Sequence, residues 1–348
     1  MPLVDSYGRA IRDLRISITD RCNYRCAYCR TGTNGAQFAE LPLQDYLLAA
    51  RVFVGLGITK IRLTGGEPLL RKGIVDLVGE LAKLRSCADP ASAMDRQIWG
   101  TGTESGSSSH KPELAITTNG HLLAAMAEEL KQAGLDRVTV SMDAVDPERF
   151  ARITRVRDGY AAVLEGLREA RRQGLGPVKV NCVLLRGFNE DQIEAFGRFA
   201  CEEQVIVRFI EFMPLDEGRA WTPQAVVPLS EVLQRMARFA PFEEIAHDPS
   251  STSRRYRFLD GSAEFGVIAP VTLPFCGACS RIRLTSDGKI RTCLFSLREH
   301  DLAAAIRSGD ETEIARVIEY AVVHKEQRHH IGEPGFVQPG RTMVHIGG

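Results

Sequence analysis

Between residues 14 and 212 the sequence alternates short β-branched stretches with helical patterns. The strand-like stretches are LRISIT (14–19), KIRLTG (60–65), ELAITT (113–118), RVTVSM (137–142), VKVNCVLL (178–185) and VIVRFIEF (205–212). Helical patterns at 42–57, 73–84, 121–133, 159–173 and 190–203 separate them; in the first, Leu43, Leu47, Ala50 and Val54 share one face. Alternation of this kind predicts a parallel sheet with helices outside it. Right-handed crossovers curl such a sheet towards a barrel. Six units fall short of the eight of a closed barrel, so the α/β fold expected is a partial (βα)6 TIM-type barrel over residues 1–213. From 214 to 348 two hairpin patterns, the second turning at Asp287-Gly288, and helical stretches near 301–308 and 310–325 predict a smaller α+β region. The Ser/Gly/Ala-rich segment 86–112 is too long for an ordinary connection and reads as a flexible insertion.

Balanced charge, 44 basic against 44 acidic residues, gives no general attraction to nucleic acid or an anionic membrane. No apolar run approaches the roughly 18 residues of a bilayer span, and the first twenty residues lack the apolar core of a targeting peptide. A cytoplasmic protein is expected. Its nine cysteines should then be reduced, which points to metal binding or catalysis. Cys182 and Cys201 are isolated and read as small buried hydrophobes, and Cys87 is isolated too. The other six form two triplets, Cys22, Cys26 and Cys29 near one end and Cys276, Cys279 and Cys293 near the other.

Ligands of parallel barrels bind beyond the C-terminal strand ends. There this chain places DRCNYRCAYC, GGEP (65–68), TTNG (117–120), SMDA (141–144), Glu211 and Met213. Strand faces that are normally aliphatic carry Arg15, Lys60, Arg62, Lys179, Arg208, Arg281 and Arg283. Seven such cations in a neutral chain suggest a pocket for a polyanion such as a nucleoside triphosphate. No GxxxxGK[ST] sequence is present, so the chain is not a P-loop enzyme.

Structural zinc takes four closed ligands, and the first triplet offers three with no histidine beside it. A cubane iron–sulfur cluster held by three thiolates leaves one iron open to a ligand. For the second triplet, zinc completed by His300 remains an alternative. His324, His329 and His330 are expected to be solvated on a charged helix.

C-x3-C-x2-C with Tyr28 before the last cysteine, together with GGEP, resembles the radical S-adenosylmethionine superfamily. That resemblance implies two [4Fe-4S] clusters, one of which cleaves S-adenosylmethionine to start radical chemistry. Nearly end to end, with VNCVLLRGFNED, RFIEFMP, FCGACSRIRLTSDGKIRTCLF and a terminal GG, the chain is similar to the GTP 3′,8-cyclase family of molybdenum cofactor biosynthesis. The likeness implies that Cys22, Cys26 and Cys29 hold the cleaving cluster, and that Cys276, Cys279 and Cys293 hold the second, whose open iron meets the guanine. It implies Tyr28, Gly66, Ser141 and Met213 at S-adenosylmethionine, and Arg15, Arg62, Thr117, Lys179, Arg281 and Arg283 at GTP, with Lys60 and Arg208 beside them. Arg281, Arg283, Gly347 and Gly348 would serve catalysis. A reducing electron donor, a downstream cyclic pyranopterin monophosphate synthase and a homodimer are implied as partners. Another two-cluster radical enzyme, or a zinc-stabilised binding module, are the competing readings at this point.

Overall fold

The computed structural model describes residues 3–29, 36–84 and 111–347. Most of the 86–112 segment, with Cys87, lies outside these residues, as does Gly348.

All the described strands join one sheet. They are β1 (Asp13–Ser17), β2 (Lys60–Thr64), β3 (Glu113–Thr118), β4 (Arg137–Ser141), β5 (Lys179–Leu184), β6 (Ile206–Glu211), β7 (Phe242–Ile245), β8 (Arg254–Phe258), β9 (Glu264–Ile268), β10 (Arg281–Leu284), β11 (Lys289–Arg291) and β12 (His300–Asp301). The spatial order is β12-β11-β10-β1-β2-β3-β4-β5-β6-β9-β8-β7. Strands β1 to β6 are parallel and adjacent in chain order. The two hairpins form as predicted, but the parallel sheet does not stop at residue 213. Strand β9 pairs parallel to β6, and β10 pairs parallel to β1. An open barrel leaves unpaired backbone at both edges, and each hairpin covers one of them with its inner strand.

Leu14, Ile16, Ile61, Leu63, Ile116, Val138, Val180 and Phe209 are buried in the main core beneath the helices. The alternate positions, such as Arg15, Arg62, Thr117, Ser141 and Arg208, face the barrel interior instead. A filled barrel puts branched aliphatics there; this one is polar inside. Cys182 is buried and Cys201 half-buried. No helix among the described residues is long and apolar enough to cross a membrane.

Elements not anticipated include the helices Pro147–Thr154, Leu229–Phe239 and Met343–Ile346 and the strands β7 and β12. The first helix did carry a start signal, since Asp146 accepts from the Arg149 N–H at 2.8 Å and Pro147 occupies the first turn. The last long helix ends at Val323, so His329 and His330 lie beyond it.

Loops after β1, β2 and β3 are tied at one point. Gly66 N–H donates to the Thr19 carbonyl at 2.8 Å and Glu67 N–H to Arg21 at 2.7 Å. Glu67 itself is fully buried and accepts from Leu69 N–H, the Thr118 hydroxyl and Asn119 N–H at 2.6–2.9 Å. Burial pushes its carboxyl up to about 7. At Gly65 φ is +142°, and a Cβ would meet the Thr19 carbonyl oxygen at 2.1 Å. Gly65→Ala is therefore expected to destabilise the protein by about 2–4 kcal/mol in denaturant titration, from overpacking and backbone strain. Gly79, inside a helix with open space around it, is the control, and Gly79→Ala should stabilise by about 0.5–1 kcal/mol.

Candidate active site

The polar barrel interior opens into a cavity of about 290 Å³ whose wall includes all six cysteines of the two triplets. Chain direction sets their positions. Cys22, Cys26 and Cys29 follow the C-terminal end of β1, whereas Cys276 and Cys279 precede the N-terminal end of β10, its parallel neighbour. Cys293 follows β11, which runs antiparallel to β10. The two triplets therefore face one another from opposite ends of the cavity.

Between them stand the arginines. Strand register puts Arg283, Arg15 and Arg62 side by side on β10, β1 and β2, where neighbouring strands are about 4.8 Å apart. Arg208 enters from β6 and, like Arg62, reaches the Thr139 hydroxyl, at 3.4 and 3.2 Å. Among the described residues none of these four forms an ion pair, and the Nε of Arg15 and of Arg208 has no hydrogen-bond partner. Burial, then the neighbouring guanidiniums, push Arg62 down to about 10 and Arg208 to about 9, and lower Arg283 as well; burial lowers Arg15 too, against the opposing charge of Asp13. A guanidinium is not deprotonated in proteins, so the row is cationic. Like charges held together without counter-ions are costly, and a polyanion relieves that cost.

At the first triplet the Tyr28 hydroxyl donates to Asp143 at 2.6 Å, and Asp143 also accepts from Val183 N–H at 2.8 Å. Burial pushes Asp143 up to about 6 despite both bonds. Burial and then Asp143 push the Cys26 thiol up. The cysteine loop is pinned from behind by Arg25 N–H to Thr154 and Ala27 N–H to Ile153. At the second triplet burial pushes the Cys279 thiol up, but Arg281 and Lys325 outweigh it and hold it below its ordinary value. Arg281 lies over the Phe275 ring, 5.1 Å from its centroid, and donates to the Ser250 carbonyl at 3.0 Å.

The C-terminal segment enters the barrel. Helix Met343–Ile346 is capped by Thr342, and Arg283 donates to the carbonyls of Ile346 and Gly347. Gly347 has φ +72°, and a Cβ there would sit 2.4 Å from the Thr64 side chain; only glycine fits so close to the strand.

Of the sequence-predicted residues, Arg15, Tyr28, Arg62, Gly66, Thr117, Ser141, Arg208, Met213, Arg281 and Arg283 line the cavity with the six cysteines. Lys60 does not: it is exposed at the start of β2. Lys179 is not on the wall either, although Arg208 and Arg62 act on its charge. Glu211 is a buried strut, accepting from the N–H groups of Val271 and Thr272 at 2.8 and 2.9 Å. His329 is not solvated on a helix. It lines the cavity against Phe295, with Nε2 buried and unpartnered. Asn181, on the same strand face as Lys179, also reaches the wall, as do Asp143 and Phe275, which were not singled out; Asp143 lay within a noted motif, SMDA.

The donor set fits clusters better than single ions. Among the described residues no three His, Cys, Asp or Glu side chains converge on one metal position, as a tetrahedral zinc site requires. A cubane needs only one thiolate per iron. His300, the proposed fourth zinc ligand, sits in β12 against Tyr320, off the cavity wall.

Residues 16–200 match the Radical SAM superfamily, and residues 205–331 match the Molybdenum Cofactor Synthesis C family. The chain is 42% identical to the GTP 3′,8-cyclase of Streptomyces coelicolor, over 99% of this chain and 96% of that one. It is 41% identical to the GTP 3′,8-cyclase of Moorella thermoacetica over 99% of both. Among solved structures, Streptococcus suis SuiB bound to the precursor peptide SuiA superposes with a TM-score of 0.59 at 14% identity, which shows the fold alone. That match covers 83% of this chain and 61% of SuiB. Motifs, cavity and relatives agree, and the chain belongs to the GTP 3′,8-cyclase family of the radical S-adenosylmethionine superfamily.

Proposed function

We infer that the cavity converts GTP to (8S)-3′,8-cyclo-7,8-dihydroguanosine 5′-triphosphate, the first step of molybdenum cofactor biosynthesis. The observation that carries the residue-level reading is the row Arg283, Arg15 and Arg62 between two cysteine triplets, a polyanion site spanning two cluster sites. Residues 1–213 act as the radical core and 214–348 as the region for the second cluster and substrate.

When bound at Cys22, Cys26 and Cys29, the first cluster with S-adenosylmethionine would supply hydrogen-atom abstraction, which no closed-shell side chain can perform. Tyr28, Gly66, Ser141 and Met213 shape the S-adenosylmethionine end. The arginines of β1, β2, β6 and β10 take the triphosphate and orient the ribose towards that end, with Thr117 beside Arg62. Cys276, Cys279 and Cys293 would hold the second cluster. Phe275, Ile268 and Leu215 line the wall and exclude water. Gly347, with Gly348 after it, positions Arg283 through its carbonyl. The same proposal includes a cytoplasmic location, an external reductant, a homodimer and a synthase that consumes the product.

Charge-assisted contacts are worth about 1.5–3 kcal/mol each. Arg281→Ala with Arg283→Ala should therefore weaken GTP binding by at least about 100-fold in calorimetry, while uncoupled S-adenosylmethionine cleavage persists. Unchanged affinity would remove both from the site. A chain lacking Gly347 and Gly348 should carry its iron and sulfide but form no product in a turnover assay, and product at the normal rate would exclude the tail.

Lys179 gives a pH test. Burial, then Arg208, push it down to about 7, so at pH 8 it is largely neutral. A triphosphate nearby restores its pKa towards about 10.4, so the bound state holds the extra proton. Binding at pH 8 should take up close to one proton, read from calorimetry in buffers of different ionisation enthalpy, and uptake should vanish in Lys179→Met. No uptake by the unmutated protein would place Lys179 outside the site.

A further inference from the structure

Lys325 is 4% exposed and carries its charge into the protein beside the second triplet. Its ammonium donates to the carbonyl of Arg281 at 3.0 Å and to that of Thr292. Thr292 immediately precedes Cys293, and Arg281 stands two residues after Cys279. Among the described residues Lys325 forms no ion pair. The neighbouring charges are otherwise matched or engaged. Arg9 donates to the carbonyls of Cys276, Gln327 and Glu326 at 2.6–2.9 Å, but it is paired with Asp5 at 2.6 Å. Glu326 accepts from the hydroxyls of Thr292 and Ser296. Arg281 faces the proposed phosphate site.

The first triplet has the opposite surroundings, with the Asp143 carboxylate held behind it by Tyr28 and Val183. Cluster potentials respond to net charge and hydrogen bonding around the sulfurs.

We propose that Lys325 is a positioning residue of the second cluster, and that its buried ammonium raises that cluster's reduction potential above that of the first. The couple is the one-electron reduction of a 2+ cubane to 1+ by an external reductant; no bond in the protein forms or breaks. This order leaves the stronger reductant at the end assigned to S-adenosylmethionine and a weaker one beside the nucleobase. The inference rests on the two-cluster reading of the cavity.

The test is an EPR-monitored redox titration of the reconstituted full chain. Signals are assigned with a Cys22→Ala, Cys26→Ala, Cys29→Ala variant that keeps only the second triplet. Lys325→Gln retains hydrogen-bond donors without charge, and should make reduction of the second cluster about tenfold less favourable, ~59 mV lower. The first cluster should not move, and Lys325→Arg should restore the original value. Should Lys325→Gln fail to assemble the cluster, Glu326→Gln decides, because removing the opposing carboxylate should raise the same potential. No shift in the variant that assembles, equal shifts in both clusters, or a second cluster at or below the first in the unmutated protein would each overturn the proposal. Iron near four rather than about eight per chain in the unmutated protein would instead fail the two-cluster reading.

Discussion

Three guanidiniums abreast, Arg283, Arg15 and Arg62, are the feature on which the remaining architecture depends. Parallel register on β10, β1 and β2 forces them into one row, and the burial of Arg283 with the half-burial of Arg15 and Arg62 weakens the solvent screening of their repulsion. Among the described residues their hydrogen-bond partners are hydroxyls and carbonyls: Thr117 and Thr139 for Arg62, and Ile346 and Gly347 for Arg283. Such a row is tolerable only on a scaffold rigid enough to hold it, and useful only if an anion arrives. The helices packed on the outer face of the sheet, built on Leu14, Ile61, Ile116 and Val180, supply that rigidity.

The same row explains why the barrel is open and why its ends differ. An aliphatic interior would fill the space, as in closed barrels; polar inward positions leave it free for cofactor and substrate. The loops after β1, β2 and β3 are bound together through Gly66 and Glu67, so the first triplet sits on a fastened rim. The hairpins that cover the sheet edges bring the second triplet to the other end. Edge protection, substrate charge and two separate metal sites are thus met by one arrangement.

Much of this was readable from sequence where the signal is local. Strand period and β-branching placed β1 to β6 within about two residues, and cysteine spacing picked out the six thiols that line the cavity. What local pattern does not carry is depth. Parity put Lys60 on the same face as Arg62, but Lys60 begins its strand at the far end and remains exposed. Glu67 looked like part of a glycine turn, since a buried carboxylate and an exposed one read alike in sequence. His329 was read as an extension of the preceding helical period, although that helix stops at Val323 and the chain turns inward. Pairing of β9 and β10 into the parallel sheet depends on which edges are free, a property of the assembled barrel. The family resemblance pointed to the tail, which local pattern left open, and the structure brings it to Arg283.

The most direct measurement is anaerobic reconstitution with iron and sulfide, followed by incubation with dithionite, S-adenosylmethionine and GTP and mass spectrometry of the products. The account predicts 5′-deoxyadenosine and a GTP isomer in roughly equal amounts. Deoxyadenosine formed at the same slow rate with or without GTP would contradict it, leaving a radical enzyme whose arginine row serves a different anion.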